Sequence, residues 1–101
     1  MQAFSQRRFS TGAGFYILRC ADGSYYTGTT RTELELRIAK HQQGTFDGYT
    51  SDRRPVELVF SEYFERILDA IAMERRIKGW SRAKKEALIA GDLDRLRELS
   101  R

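Results

Sequence analysis

The chain has 101 residues, 41% of them hydrophobic and 32% charged, enough for one modest globular core and too few for two. These proportions exclude a fibrous or disordered polypeptide, and the single cysteine, Cys20, excludes an intrachain disulfide framework and any Cys/His zinc cluster. A net charge of +4 is too small an excess to name a partner by itself, and a reducing, cytoplasmic setting is expected from the cysteine usage.

Residues 1–13 read as a flexible tail. Its Arg7-Arg8 pair superficially resembles a twin-arginine export signal, but no apolar segment follows, and no stretch reaches the length of a membrane span. Everything from Gly14 to Arg101 is expected to form one domain. Gly14–Cys20 and Ser24–Thr30 are rich in aromatic and β-branched residues and flank Ala21-Asp22-Gly23, which predicts a β-hairpin. Thr32-Glu33-Leu34-Glu35 has the form of a capping box that opens a helix running to about Gln43, with Gly44 as its left-handed stop. Phe46–Arg54 has loop composition, and Pro55 leads into a third strand over Val56–Phe60. A second helix is expected from about Ile67 to Lys78, a third after the cap Ser81 to near Ala90, and a short fourth after the cap Asp92. Three strands and then helices predict an α+β domain, a small three-stranded antiparallel sheet flanked by helices.

The turn of the hairpin decides what Tyr16 and Tyr26 can do. A two-residue Asp22-Gly23 loop would send them to opposite faces. A three-residue Ala21-Asp22-Gly23 loop would oppose Leu18 to Tyr26 and put Tyr16, Leu18 and Tyr26 on one face. Ordinary strand tyrosines are the alternative to a site, since tyrosine is enriched in strands. Arg37 and His41 stand four apart on the first helix, at the border of a Leu34/Ile38 stripe. An arginine fork suits phosphate oxygens, and an imidazole can donate a hydrogen bond or shuttle a proton. On the second helix the apolar stripe Ile67, Ala70, Ile71, Ile77 is interrupted at Glu74. A carboxylate in an inward stripe needs a cationic partner or a metal. A single carboxylate points to one Mg²⁺ or Mn²⁺ ion that keeps its waters and binds substrate phosphate. Arg75, Arg76, Lys78, Arg82, Lys84 and Lys85 form a run without an acid, either a surface for a nucleic-acid backbone or an ordinary solvated face.

In order along the chain, these features resemble the GIY-YIG nuclease superfamily. Gly14-Phe15-Tyr16 is similar to its first motif and Tyr26-Thr27-Gly28 to its second. Leu36–His41 resembles its arginine helix, Arg54–Phe60 its third strand, and Glu74–Trp80 its metal-carboxylate helix. The likeness runs from Gly14 to about Ile89 and is greatest to the small stand-alone bacterial members, similar to the nuclease domain of the excision-repair incision subunit.

The resemblance implies a divalent-metal-dependent endonuclease that hydrolyses phosphodiesters. It implies a metal on Glu74, charge stabilisation by Arg37, and help from Tyr16 in deprotonating the attacking water, for which metal or arginine would have to depress the phenol's pKa. Tyr26 and His41 would orient water or phosphate or relay a proton. The basic run, with Tyr49 and Thr50, would contact nucleic acid. The expected substrate is DNA more than RNA, cut with low sequence specificity, in a repair or recombination setting, by a monomer or weak homodimer; a non-cleaving nucleic-acid-binding module is the alternative. Phe15 and Thr27 replace the isoleucines of the family pattern, Gly48-Tyr49-Thr50 stands where many relatives have Lys-Tyr-Thr, and the last helices lack the asparagine of some members.

Overall fold

A computed structural model of the protein describes residues 12–31, 34–44 and 48–100. Most of the expected tail, the capping Thr32 and Phe46 lie outside them.

The run Ala13-Gly-Phe-Tyr-Ile-Leu is apolar without alternation, the pattern of a strand covered on both faces. It forms β1 (Ala13–Arg19), the centre of a three-stranded antiparallel sheet in the order β2-β1-β3, and every residue from Ala13 to Leu18 is buried. β2 is Tyr25–Thr30 and β3 is Glu57–Phe64. The hairpin turn has three residues. Cys20 N–H donates to Ser24 C=O at 2.8 Å, Gly23 takes the left-handed φ of 85°, and Leu18 stands opposite Tyr26. The two-residue alternative is thereby excluded.

β3 runs four residues past the expected end at Phe60. Ser61 and Glu62 interrupt the apolar pattern because β3 is an edge strand with polar positions in water, yet Ser61–Phe64 still pair with Tyr16–Ala13.

The helices are α1 (Leu34–Gln42), α2 (Ile67–Lys78), α3 (Arg82–Ala90) and α4 (Leu93–Leu99). Their stops follow the sequence signals. Gly44 and Gly91 take left-handed φ of 73° and 72°, Ser81 accepts from Lys84 N–H at 3.2 Å, and Asp92 accepts from Arg95 N–H at 3.0 Å.

Because side chains alternate along β1, the core divides into two. Tyr16, Leu18 and Cys20 face Leu34 and Ile38 of α1 and Val56. Phe15 and Ile17 face Met73 and Ile77 of α2 and Leu88 and Ile89 of α3, with Trp80 between those helices. Gln42 ties the first of these layers together. Its side-chain amide accepts from Val56 N–H at 2.9 Å and donates back to Val56 C=O, a mimic of strand pairing that fixes the end of α1 beside the entry to β3.

Candidate active site

The site grows from Tyr16 at the centre of β1. Its strand partner is Gly28, and the phenol leans across that glycine, with its oxygen 2.6 Å from where a Cβ would stand. Only a residue without a side chain leaves this room, so the glycine of the second motif is the floor under the first motif's tyrosine. Tyr26, on the same face, stacks obliquely beside it at 6.4 Å between ring centres.

α1 brings His41 to the same place. His41 follows Leu34 and Ile38 at i+7 and i+3, which puts an imidazole in the helix's inward stripe, and it is 2% exposed. Nε2 lies 3.0 Å from the Tyr16 hydroxyl and Nδ1 lies 2.8 Å from the Thr50 hydroxyl. The imidazole also packs against the Tyr26 ring at 5.2 Å. Thr50 was expected at the nucleic-acid surface. It is 3% exposed and bonded to His41, so it supports the site from behind. Tyr49, its neighbour, is exposed and does face outward, with its ring beside Tyr26 at 6.2 Å and the Arg53 guanidinium 4.0 Å over it.

Arg37 and Glu74 complete the group. Burial holds the Tyr16 phenol well above its ordinary range, Tyr26 and Glu74 push it further up, and Arg37 pulls it down. All four groups therefore lie within electrostatic reach of one hydroxyl. In the protein alone, burial in the sheet's central strand outweighs the pull of the arginine on Tyr16. His41 is held below its usual value, first by burial and second by Arg37, which favours the neutral imidazole.

Glu74 has a cationic partner, one of the two ways its place in the stripe can be met. Its side chain is 17% exposed, and one oxygen takes an ion pair from Lys78 Nζ at 3.0 Å, one turn on. The carboxylate's position in the stripe is thus met by a lysine. Among the described residues no group of three or more His, Cys, Asp or Glu side chains is placed to hold a metal. The donor set fits a hard cation held by one carboxylate, waters and substrate phosphate, and does not fit one that needs a protein cage.

The basic run is divided between different neighbours. Arg82 lies over Tyr25, on the opposite sheet face from Tyr26, and pairs with Glu86 at 3.0 Å; Lys84 lies over Trp80 at 4.6 Å. Lys78 is engaged by Glu74. Arg75 and Arg76 are exposed and Lys85 half-buried, and the three make no ion pair among the described residues.

Two contributions escaped the sequence reading, the Gly28 floor and the Thr50–His41 bond. The first had a signal. Once the turn is given three residues, counting outward pairs Tyr16 with Gly28. The second had none, because Thr50 reaches His41 through a loop whose path no periodicity describes.

The chain is similar to known proteins over most of its length. Residues 12–87 match the model of the GIY-YIG catalytic domain. A UPF0213 protein of Natronomonas pharaonis is 48% identical over 76% of this chain and 89% of its own length. One of Staphylococcus saprophyticus is 47% identical over 74% and 90%. The solution NMR structure of a UPF0213 protein from Bacillus halodurans is 42% identical, covers 78% of this chain and 83% of its own, and superposes with a TM-score of 0.52. A second NMR structure, from E. faecalis, is 39% identical over 79% and 84% with a TM-score of 0.56. By its sequence, its sheet and the order of its motifs, the chain belongs to the GIY-YIG family.

Proposed function

We propose that the protein is a divalent-metal-dependent endonuclease that hydrolyses phosphodiester bonds in nucleic acid, DNA before RNA. The observation that carries this is the buried bond between His41 and the Tyr16 hydroxyl, with the Tyr26 ring beside them and Arg37 and Glu74 within electrostatic reach. A phenol bonded to a neutral imidazole can exchange a proton with an attacking water. The Arg37 guanidinium, within electrostatic reach of it, can stabilise the charge that develops on phosphoryl oxygens. Glu74, with waters and substrate phosphate, would hold one Mg²⁺ or Mn²⁺, whose contribution when bound is Lewis-acid stabilisation of the phosphate. The half-buried Tyr26 orients the phosphate or the water. The ion pair to Lys78 supports a second reading, because it gives Glu74 a structural partner and so leaves room for a module that binds nucleic acid without cutting it.

The two readings separate in one experiment. Labelled duplex, flap, junction and single-stranded DNA, with matching RNA, are incubated with wild type or Glu74→Ala in Mg²⁺, Mn²⁺ or EDTA. Cleavage that needs the ion and is lost in Glu74→Ala, with binding kept, is the expected result. Binding without cleavage in any condition overturns the nuclease in favour of the second reading, and cleavage that survives Glu74→Ala removes the metal role.

A further inference from the structure

We propose that Thr50 is a positioning residue that sets the tautomer of His41. Its hydroxyl oxygen accepts the Nδ1 proton, which leaves Nε2 to receive the Tyr16 proton. In its catalytic consequence this rests on the nuclease reading above; in its chemistry it stands on the buried Tyr16–His41–Thr50 chain alone.

A neutral imidazole carries one N–H, so of its two hydroxyl neighbours one must donate and the other accept. The two hydroxyls are unequal. A phenol, with an ordinary pKa near ~10, is far more acidic than the aliphatic hydroxyl of threonine. It is therefore the stronger donor and, with its lone pairs delocalised into the ring, the weaker acceptor. The favourable arrangement has the Tyr16 O–H donating to Nε2 across 3.0 Å and Nδ1–H donating to Thr50 Oγ1 across 2.8 Å.

Thr50 is held for this duty by its turn. Arg53 N–H donates to Thr50 C=O at 3.1 Å, Ser51 N–H donates to Gly48 C=O, and the Arg53 guanidinium donates to Tyr49 C=O at 2.8 Å while covering the Tyr49 ring. Gly48 takes a φ of 113°, which a side chain would resist.

The direction of these bonds matters because of where Tyr16 sits. A resting phenolate is disfavoured by burial and by the neighbouring Tyr26 and Glu74. With Nε2 unprotonated, no phenolate has to form. The attacking water breaks one O–H bond and gives that proton to the Tyr16 oxygen, and the phenol's own proton passes to Nε2. The hydroxide's electron pair forms the new P–O bond, and the scissile P–O bond breaks with its pair on the leaving oxygen. The imidazolium, still bonded through Nδ1–H to Thr50, returns its extra proton through Tyr16 to solvent or to the leaving oxygen. In the other tautomer Nε2–H would point at Tyr16 and the inward transfer would be blocked.

His41 is the only histidine of the chain, so its ring nitrogens can be read without assignment in the ¹⁵N spectrum of the full-length protein. At pH 7.5 wild type should show a protonated Nδ1 and an unprotonated Nε2. Thr50→Val, nearly isosteric, should move the population toward protonated Nε2 and lower kcat by about 10–100-fold, the range for loss of a group that orients a functional histidine, with KM little changed. Thr50→Ser should restore both. A protonated Nε2 in wild type overturns the proposal, as does a Thr50→Val spectrum identical to wild type, or a shifted tautomer with unchanged kcat. Should Thr50→Val not fold, the wild-type and Thr50→Ser spectra still decide the tautomer. Absence of cleavage by wild type on every substrate would fail the nuclease reading alone, since the nitrogen spectrum needs no substrate.

Discussion

The two faces of β1 are built from consecutive residues and do different work. Phe15 and Ile17 point into a predominantly apolar layer against Met73, Ile77, Leu88 and Ile89. Tyr16 points the other way, into a layer where its hydroxyl is bonded to His41 and neighbours two charged groups. Period-two alternation lets one central strand anchor the fold with its odd residues and contribute to the candidate site with an even one. The apolar face supplies burial free energy without directional demands. The polar face, being buried as well, tolerates its hydroxyls and imidazole only because they satisfy one another. The difference predicts that stability and activity can be damaged separately by changes one residue apart.

The largest effects test that separation directly. Phe15→Ala removes a fully buried ring and should cost about 3–5 kcal/mol of unfolding free energy, while the fraction that remains folded cuts nucleic acid at the wild-type rate. Tyr16→Phe keeps the ring and removes the hydroxyl. It should lower kcat by roughly 10²–10⁴-fold, the usual worth of a positioned proton-transfer group, with the denaturation midpoint changed far less than by Phe15→Ala. Equal losses of stability in the two variants would break the division between faces. Undiminished cleavage by Tyr16→Phe would reject its hydroxyl as a catalytic group.

Gly28→Ala is the intermediate case. An added methyl would meet the phenol at 2.6 Å from its oxygen and 2.7 Å from its ring, so Tyr16 must move. Overpacking of this kind costs about 1–3 kcal/mol, and activity should fall toward that of Tyr16→Phe because the hydroxyl leaves His41. A variant that loses stability but keeps full kcat per folded molecule would show that Tyr16 works from more than one position.

How far the sequence could be read follows the same division. Elements with local signals were legible. The hairpin, the helix stops at Gly44 and Gly91, the caps Ser81 and Asp92, and the α+β order all stand as expected. So was the shared face of Tyr16 and Tyr26, once the turn is known to have three residues. Non-local features were not legible. The extension of β3 to Phe64 depends on β1 offering it a full-length partner, and the burial of Thr50 depends on a loop folding back onto α1. The upward shift of Tyr16 depends on its being in the central strand, and strand order is not written in a three-strand sequence. Family likeness placed Glu74 at the site, but could not say that Lys78 would reach it first.

The buried imidazole gives the polar face a pH signature that the apolar face lacks. His41 is held below its ordinary value of about 6.5 by burial and by Arg37, so the folded state binds its proton less readily than the unfolded chain. Its contribution is fully present above about 6.5 and is lost as pH falls through the folded value, each unit of separation being worth about 1.4 kcal/mol. Urea midpoints measured from pH 7.5 downward should fall more steeply for wild type than for His41→Gln. A wild type that gains on the variant as acidity rises would have the opposite sign and would place the imidazolium, not the imidazole, in the folded protein.

The smallest expected effect concerns Lys78, which joins the two readings of Glu74. Its side chain is 65% exposed, and an i,i+4 pair at the surface is worth only about 0.3–0.5 kcal/mol. If Glu74 holds a divalent ion during cleavage, that ion must take the carboxylate from Lys78, and the pair is a weak competitor. Lys78→Gln should therefore lower the Mg²⁺ or Mn²⁺ concentration at half-maximal cleavage by about twofold, with little change in the rate at saturating metal. It should also leave unfolding free energy within about 0.5 kcal/mol of wild type, because an i,i+4 pair whose lysine end is in water contributes little to the fold. A larger loss of stability would mean that the lysine is what makes the carboxylate tolerable in the inward stripe, and that Glu74 belongs to the framework as much as to the site. An unchanged metal midpoint together with an unchanged fold would mean that the ion and the lysine use different oxygens of the same carboxylate, which Glu74→Gln would then expose by losing cleavage while keeping the midpoint of denaturation.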